Sequence, residues 1–117
     1  MPEYMGSCQC GAVQFRVSSR LDHPSRCNCS YCRRAWNAGH YVEMGDFELI
    51  SGESDLGEHR FGSRTAAHHF CQRCGISVFS QLRWRGEERY VVNLGCIEGF
   101  DLLSLTDLPV NDGASYR

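Results

Sequence analysis

Seven of the eight cysteines in this 117-residue chain fall into short groups, and their spacing restricts the fold more than any other feature. The tightest group is Cys27-Asn28-Cys29-Ser30-Tyr31-Cys32, three thiols within six residues, followed at once by Arg33 and Arg34. In an extended segment alternate side chains share a face, so Cys27 and Cys29 point the same way, and the two-residue gap to Cys32 suits a turn around one ion. Three soft ligands can therefore meet at a single metal. No fourth donor follows at a comparable spacing, and a zinc site with three protein ligands is the kind that keeps a position open for water or substrate.

Cys8 and Cys10 form one further pair and Cys71 and Cys74 another, each followed directly by a glycine, Gly11 and Gly75. A glycine there lets the backbone turn and aim amide N–H groups at sulfur. Two such pairs make a closed four-sulfur site with no room for substrate, expected to be structural and to tie the first strand to the hairpin beginning at Ile76. Apparent zinc affinities of about 10 to 16 kcal/mol can supply much of the folding free energy of a small module. Two local redox pairs are the alternative use of the same residues.

The three-cysteine group has two readings: a second structural site completed by a distant ligand such as Cys96 or a histidine, or a reactive one. Arg26, Arg33 and Arg34 flank it, and guanidinium groups match the carboxylates of an anionic small molecule, which favours the reactive reading; alternatively they only balance thiolate charge. His40 follows the loop and could reach an open site; His68 and His69 lie close enough to Cys71 to support it from behind, although a histidine in a strand is more often simply a packed or surface residue. Cys96 is expected to be a small, buried, inert thiol. Trp36 and Trp84 are expected in the core or at its rim.

The composition, 42% hydrophobic and 22% charged, is ordinary for a globular protein, and the length suits one domain over residues 1–117. No apolar run approaches the roughly 20 residues that span a bilayer, so no membrane segment is expected. Met1-Pro2-Glu3-Tyr4-Met5-Gly6 is not a secretory signal, so a cytoplasmic location is expected, where cysteines serve as metal ligands rather than disulfides. Seven thiolates around two Zn²⁺ would take the formal charge from -2 to about -5, which argues against nucleic acid as a partner. Phosphate loops, dinucleotide fingerprints, His-Glu-x-x-His helices and nucleophile elbows are absent.

Along the chain, Val13, Phe15 and Val17 alternate with Gln14 and Arg16, the pattern of a half-buried strand. A short turn or helix is predicted over 30–37, since Tyr31, Arg34 and Ala35 sit at helical spacing. Residues 40–44 and 47–50 read as a hairpin around Gly45-Asp46. Residues 59–61 and 66–70 read as a pair across Gly62-Ser63, and 76–82 and 89–94 as strands joined by a turn at Arg85-Gly86-Glu87-Glu88. Leucines after Gly99 are expected to dock on the core before Pro109, with residues 111–117 frayed. Many short strands with turns between them predict a mainly β fold of short antiparallel strands.

The order Gly6-Ser7-Cys8-Gln9-Cys10-Gly11-Ala12-Val13, then Cys27, Cys29 and Cys32, then Cys71 to Gly75, then Val92-Asn93-Leu94-Gly95-Cys96, resembles the glutathione-dependent formaldehyde-activating enzyme family. The resemblance runs from Gly6 to about Glu98 and implies a β-tent-like fold with two zinc ions. It implies that Cys8, Cys10, Cys71 and Cys74 hold a structural zinc and that Cys27, Cys29 and Cys32 hold a more labile catalytic one. The implied reaction adds glutathione, or a similar small-molecule thiol, to a small aldehyde such as formaldehyde, classed as a carbon-sulfur lyase for its reverse. A metal-bound thiol is deprotonated, and Tyr31, His40 or water could protonate the product oxygen. The alternative is a zinc-stabilised binding or carrier module without turnover.

Overall fold

A computed structural model of the chain describes residues 1–115, with Trp84 described in its backbone only. The expectations for the Trp84 side chain and for fraying of Tyr116 and Arg117 fall outside the described residues. In chain order the strands are β1 (Glu3–Ser7), β2 (Gln14–Ser18), β3 (Arg26–Cys27), β4 (Gly39–Glu43), β5 (Phe47–Ser51), β6 (Leu56–His59), β7 (Ala66–Cys71), β8 (Ser77–Trp84), β9 (Glu87–Asn93) and β10 (Val110–Asn111). One short helix, α1 (Ser30–Ala35), follows β3. The mainly β class read from the sequence is the observed one.

The strands form a three-stranded antiparallel sheet in the order β1-β2-β5 and a five-stranded antiparallel sheet in the order β4-β9-β8-β7-β6. A two-stranded parallel ribbon joins β3 to β10. Period-two alternation places Val13, Phe15 and Val17 fully inside, while Gln14 and Arg16 face solvent. Burying such a side chain contributes about 1.5 to 3 kcal/mol. Phe47 anchors the junction of the two larger sheets, its ring 5.4 Å from Phe15, 4.8 Å from Phe79 and 4.1 Å from Tyr90.

Residues 40–44 and 47–50 are strands but not a hairpin. Met44–Asp46 forms a 3-10 turn instead of the left-handed pair a tight hairpin needs, and β4 pairs with β9 while β5 pairs with β2. The turn carries the chain from one sheet to the other and drives Phe47 into the core. The tail is a second departure: Val110 and Asn111 pair with Arg26 and Cys27, so this segment is tied down rather than frayed.

Gly52 shows how closely the three-stranded sheet is packed. Its φ is +88°, and a methyl group there would lie 2.3 Å from the Ala12 carbonyl oxygen and 2.7 Å from the Val13 Cα. Gly45 has open space around its Cα. Gly52→Ala should therefore cost about 2 to 4 kcal/mol in urea unfolding, and Gly45→Ala less than about 0.5 kcal/mol. Equal effects would contradict this packing.

Candidate metal centres

Two matching turns bring the four outer cysteines together. The Cys8 amide donates to the Val13 carbonyl at 3.0 Å and the Cys71 amide to the Ile76 carbonyl at 2.9 Å, so each loop closes over five residues. Gly11 and Gly75 take the left-handed φ values of +84° and +80° inside these loops, the turn that the sequence assigns to them. The sulfurs of Cys8, Cys10, Cys71 and Cys74 lie within 4.8 Å of one another. Cys8 to Cys10 is 3.7 Å and Cys10 to Cys71 is 3.8 Å. A tetrahedron with Zn–S bonds of about 2.3 Å has edges of about 3.8 Å, so the donor set fits zinc, and a disulfide would need about 2.05 Å.

Backbone amides address this cluster. Val13 N–H donates to Cys8 Sγ at 3.3 Å. The Ile76 amide above all, helped by the Cys10 amide and the Cys71 and Cys10 thiols, holds Cys74 down to about 6. Burial raises Cys8, yet the Val13 amide and the thiols of Cys10 and Cys71 leave it below the ordinary thiol value. The Ala12 amide lowers Cys10, but desolvation and the sulfurs of Cys8, Cys71 and Cys74 push it up to about 11. Four like charges cannot crowd together without a cation; protons stand in where none is bound.

Cys27, Cys29 and Cys32 form the second group, again with all sulfurs within 4.8 Å. Cys29 is fully buried and caps α1, accepting from Cys32 N–H at 3.3 Å, while Cys29 N–H points at Cys27 Sγ at 3.5 Å. The Cys27 sulfur first, then burial and the charges of Cys29 and Cys27, drive the Cys32 thiol far above its ordinary value. Among the described residues no fourth cysteine, histidine, aspartate or glutamate joins this group. Three thiolates and a vacant corner fit a zinc site of the open kind. Cys96 stands apart from both groups, its thiol donating to the Ser77 carbonyl at 3.6 Å; burial above all, with the charges of Cys8 and Cys74, pushes it up to about 12.

The C-terminal ribbon clips the three-cysteine loop in place. Asn28 N–H donates to the Asn111 carbonyl at 3.1 Å, Asn28 Nδ2 to Asp112 Oδ1 at 3.2 Å, and Ala114 N–H to Asn28 Oδ1 at 2.9 Å. Ser115 Oγ first, and then Asn28, hold the Asp112 carboxyl below its usual range. These contacts connect residues more than eighty positions apart, and nothing in residue spacing reveals them.

Three recesses border Cys27. A cavity of about 50 Å³ is lined by Cys27, Cys32, His68 and Ser80. His68 is buried, its Nδ1 is 2.7 Å from Ser80 Oγ, and its ring lies 4.1 Å from that of Tyr31. The sequence places His68 near Cys71; β7 instead turns it to the other cysteine group, opposite Ser80 on β8. A larger recess of about 410 Å³ meets Cys27 from the β8–β9 hairpin, with Arg83, Arg85, Arg89, Glu87 and Asp112 in its walls. The third, about 160 Å³, lies against Trp36 and Val110.

His40 does not reach these cavities. Its Nε2 accepts from His23 N–H at 3.1 Å, which puts the ring proton on Nδ1, 2.8 Å from the Tyr41 carbonyl. Two of the three flanking arginines are also placed differently from a carboxylate clamp, while Arg33 stands in the wall of the third recess. Arg26 donates to the Trp36 carbonyl at 2.9 Å and sits 4.2 Å over the Trp36 ring, and Arg34 donates to the Ser30 carbonyl at 2.9 Å.

Protons compete with metal for every thiolate, so metal release must follow acidification. Lowering the pH from about 8 to about 5 should release zinc in two steps, the three-cysteine group first, because it has fewer sulfurs and its Cys32 thiol is driven far above the ordinary thiol value. A chelator-dye assay counts the released metal, and simultaneous loss from both groups would contradict the assignment.

Known proteins resemble this chain in sequence and fold. The description of the glutathione-dependent formaldehyde-activating enzyme family matches residues 3–106. A Halomonas elongata protein named for glutathione-dependent formaldehyde activation is 33% identical over 88 residues, which is 63% of this chain and 53% of that protein. The chain thus aligns with about half the length of that relative. A Schizosaccharomyces pombe protein described as an uncharacterised lyase is 24% identical over 86% of this chain and 73% of its own length. A Rhodobacter sphaeroides protein of known crystal structure superposes with a TM-score of 0.83 at 36% identity, covering 92% of this chain and 99% of that one. With the cysteine order, the fold and the matched span in agreement, this chain belongs to the glutathione-dependent formaldehyde-activating enzyme family.

Proposed function

We propose that this protein adds a thiol, glutathione or a close analogue, to a small aldehyde at Cys27, Cys29 and Cys32. In the addition the thiol gives up its proton, a carbon-sulfur bond forms, the carbonyl π bond opens, and a proton ends on the carbonyl oxygen. Cys27, Cys29 and Cys32 would hold a zinc ion, which would supply the Lewis acidity that lowers the proton affinity of a thiol. Cys8, Cys10, Cys71 and Cys74 hold a second zinc with a structural role. The observation that carries this reading is the convergence of three sulfurs without a fourth ligand group among the described residues, beside a cavity.

The chain's own residues account for the remaining steps. The charged recess beside Cys27 has room for a peptide thiol: Arg85 and Arg89 face its carboxylates and Asp112 its ammonium group. The small cavity admits only a group of about one or two heavy atoms, which orients the reacting carbonyl next to Cys27 and Cys32. Ser80 Oγ, paired with His68 Nδ1, is placed to hold the proton that the carbonyl oxygen takes up. Tyr31, stacked on His68, fixes the imidazole plane rather than donating.

Glutathione titrated into cobalt-substituted protein should intensify the sulfur-to-metal absorption in the near ultraviolet; an unchanged spectrum would remove the first step and leave a zinc-stabilised binding module. Cys29→Ser should lose one of two zinc ions and lower thiol-aldehyde turnover by at least about 100-fold while heat unfolding stays cooperative. Cys71→Ser should leave the chain unfolded, since it opens the four-sulfur site.

A further inference from the structure

Trp36 is the least expected residue near the three cysteines. Its ring is 70% exposed, yet its backbone is held in the left-handed region at φ 57°, where a bulky residue costs of order 1 to 3 kcal/mol in general. Ending α1 with such a turn would need only glycine or asparagine. The backbone is fixed by two hydrogen bonds, Trp36 N–H donating to the Cys32 carbonyl at 2.8 Å and the Trp36 carbonyl accepting from Arg26, and the Arg26 guanidinium covers one face of the indole. An exposed aromatic held this firmly beside a reactive group is built for contact.

The recess in front of it is about 160 Å³, bounded by Trp36 and Val110 and reaching Cys27 and Cys32 at its inner end. Its surface is almost wholly carbon, although Arg26, Asn28, Arg33 and Asn37 all stand in its wall, and three of these four are engaged elsewhere. Arg26 is on the indole, Asn28 is tied to Asp112 and Ala114, and Asn37 donates to Ser77 Oγ at 3.0 Å. Cys27 therefore separates a charged recess from an apolar one. The charged one suits the ends of a peptide thiol. Formaldehyde has no substituent to place in the other, which would hold about five water-sized groups.

We infer that the Trp36 recess seats the apolar substituent of a carbonyl substrate larger than formaldehyde, a linear aldehyde of about four or five carbons, and that Trp36 sets this preference. The inference rests on the thiol-aldehyde reading above. Continuity with Cys27 and Cys32 is what assigns the recess to a substrate rather than to another protein.

Two measurements on the zinc-loaded full chain test it. With glutathione as the thiol, kcat/KM should rise about three- to fourfold for each methylene from ethanal to pentanal, and Trp36→Ala should lower the pentanal-to-formaldehyde ratio about tenfold. A flat series, or a ratio unchanged in Trp36→Ala, overturns the inference, and because a ratio is read, partial misfolding of the variant does not imitate it. Independently of turnover, pentanamide, which keeps the tail of pentanal without its reactivity, should shift the nuclear magnetic resonance signals of the Trp36 indole N–H and the Val110 amide. Shifts elsewhere, or shifts at Trp36 that grow with protein concentration alone and mark a second copy on the ring, count against it. If no aldehyde is turned over but pentanamide still moves Trp36, the thiol-aldehyde reading fails and the apolar recess stands.

Discussion

Seven thiols gathered into two small volumes impose the central constraint on this protein. As neutral groups they offer weak hydrogen bonds and leave the loops loosely joined; as thiolates they repel one another unless cations sit between them. The folded chain already holds the sulfurs at separations suited to tetrahedral metal, and it aims the Val13 and Cys32 amides at them. The four-sulfur group links the β1–β2 turn to the β7–β8 turn, two segments of different sheets more than sixty residues apart. Such a long-range tie does for a small core what disulfides do in oxidising compartments.

The second group differs because its surroundings are built to leave one side open. The clip from Asn111 to Ala114 holds the Cys27–Cys29 loop from below, α1 carries Cys32, and the β8–β9 hairpin stands away from Cys27 and leaves a charged recess. Rigidity on three sides and space on the fourth is the arrangement that binding of a foreign ligand requires. The two recesses on either side of Cys27 differ in charge, so two reactants of different chemistry can approach the same sulfurs without competing for one surface.

Local rules account for the parts of the architecture that were legible in the residues. Thiol spacing sorted the cysteines into the two observed groups, with both glycines in the turns assigned to them. Alternation placed Val13, Phe15 and Val17 inside, and the turn read at Arg85 to Glu88 is the tighter Arg85-Gly86, with Glu87 and Glu88 already in β9. What escaped notice depends on pairing between distant segments. Gly45-Asp46 looks like a hairpin turn, but partners for β4 and β5 lie in β9 and β2, and the packing of the half-buried Phe47 against Phe15, Phe79 and Tyr90 goes with that choice. Val110-Asn111 follows a proline and lacks a strand pattern, yet it finds β3 because that ribbon is the free edge beside the cysteine loop. His68 is packed, as a strand histidine usually is, but nearness in sequence to Cys71 says nothing of which face a strand presents, and it lies beside the other cysteine group.

The account stands on one ion enclosed by the chain and another that it leaves incomplete. X-ray absorption at the zinc edge of freshly reduced protein, free of added thiol, measures this directly. Two zinc ions per chain with an average of about three and a half sulfurs each, the remainder being a lighter donor, is the result expected from seven cysteine ligands. Four sulfurs around every zinc, or a single zinc per chain with the Cys27 group oxidised, would contradict it.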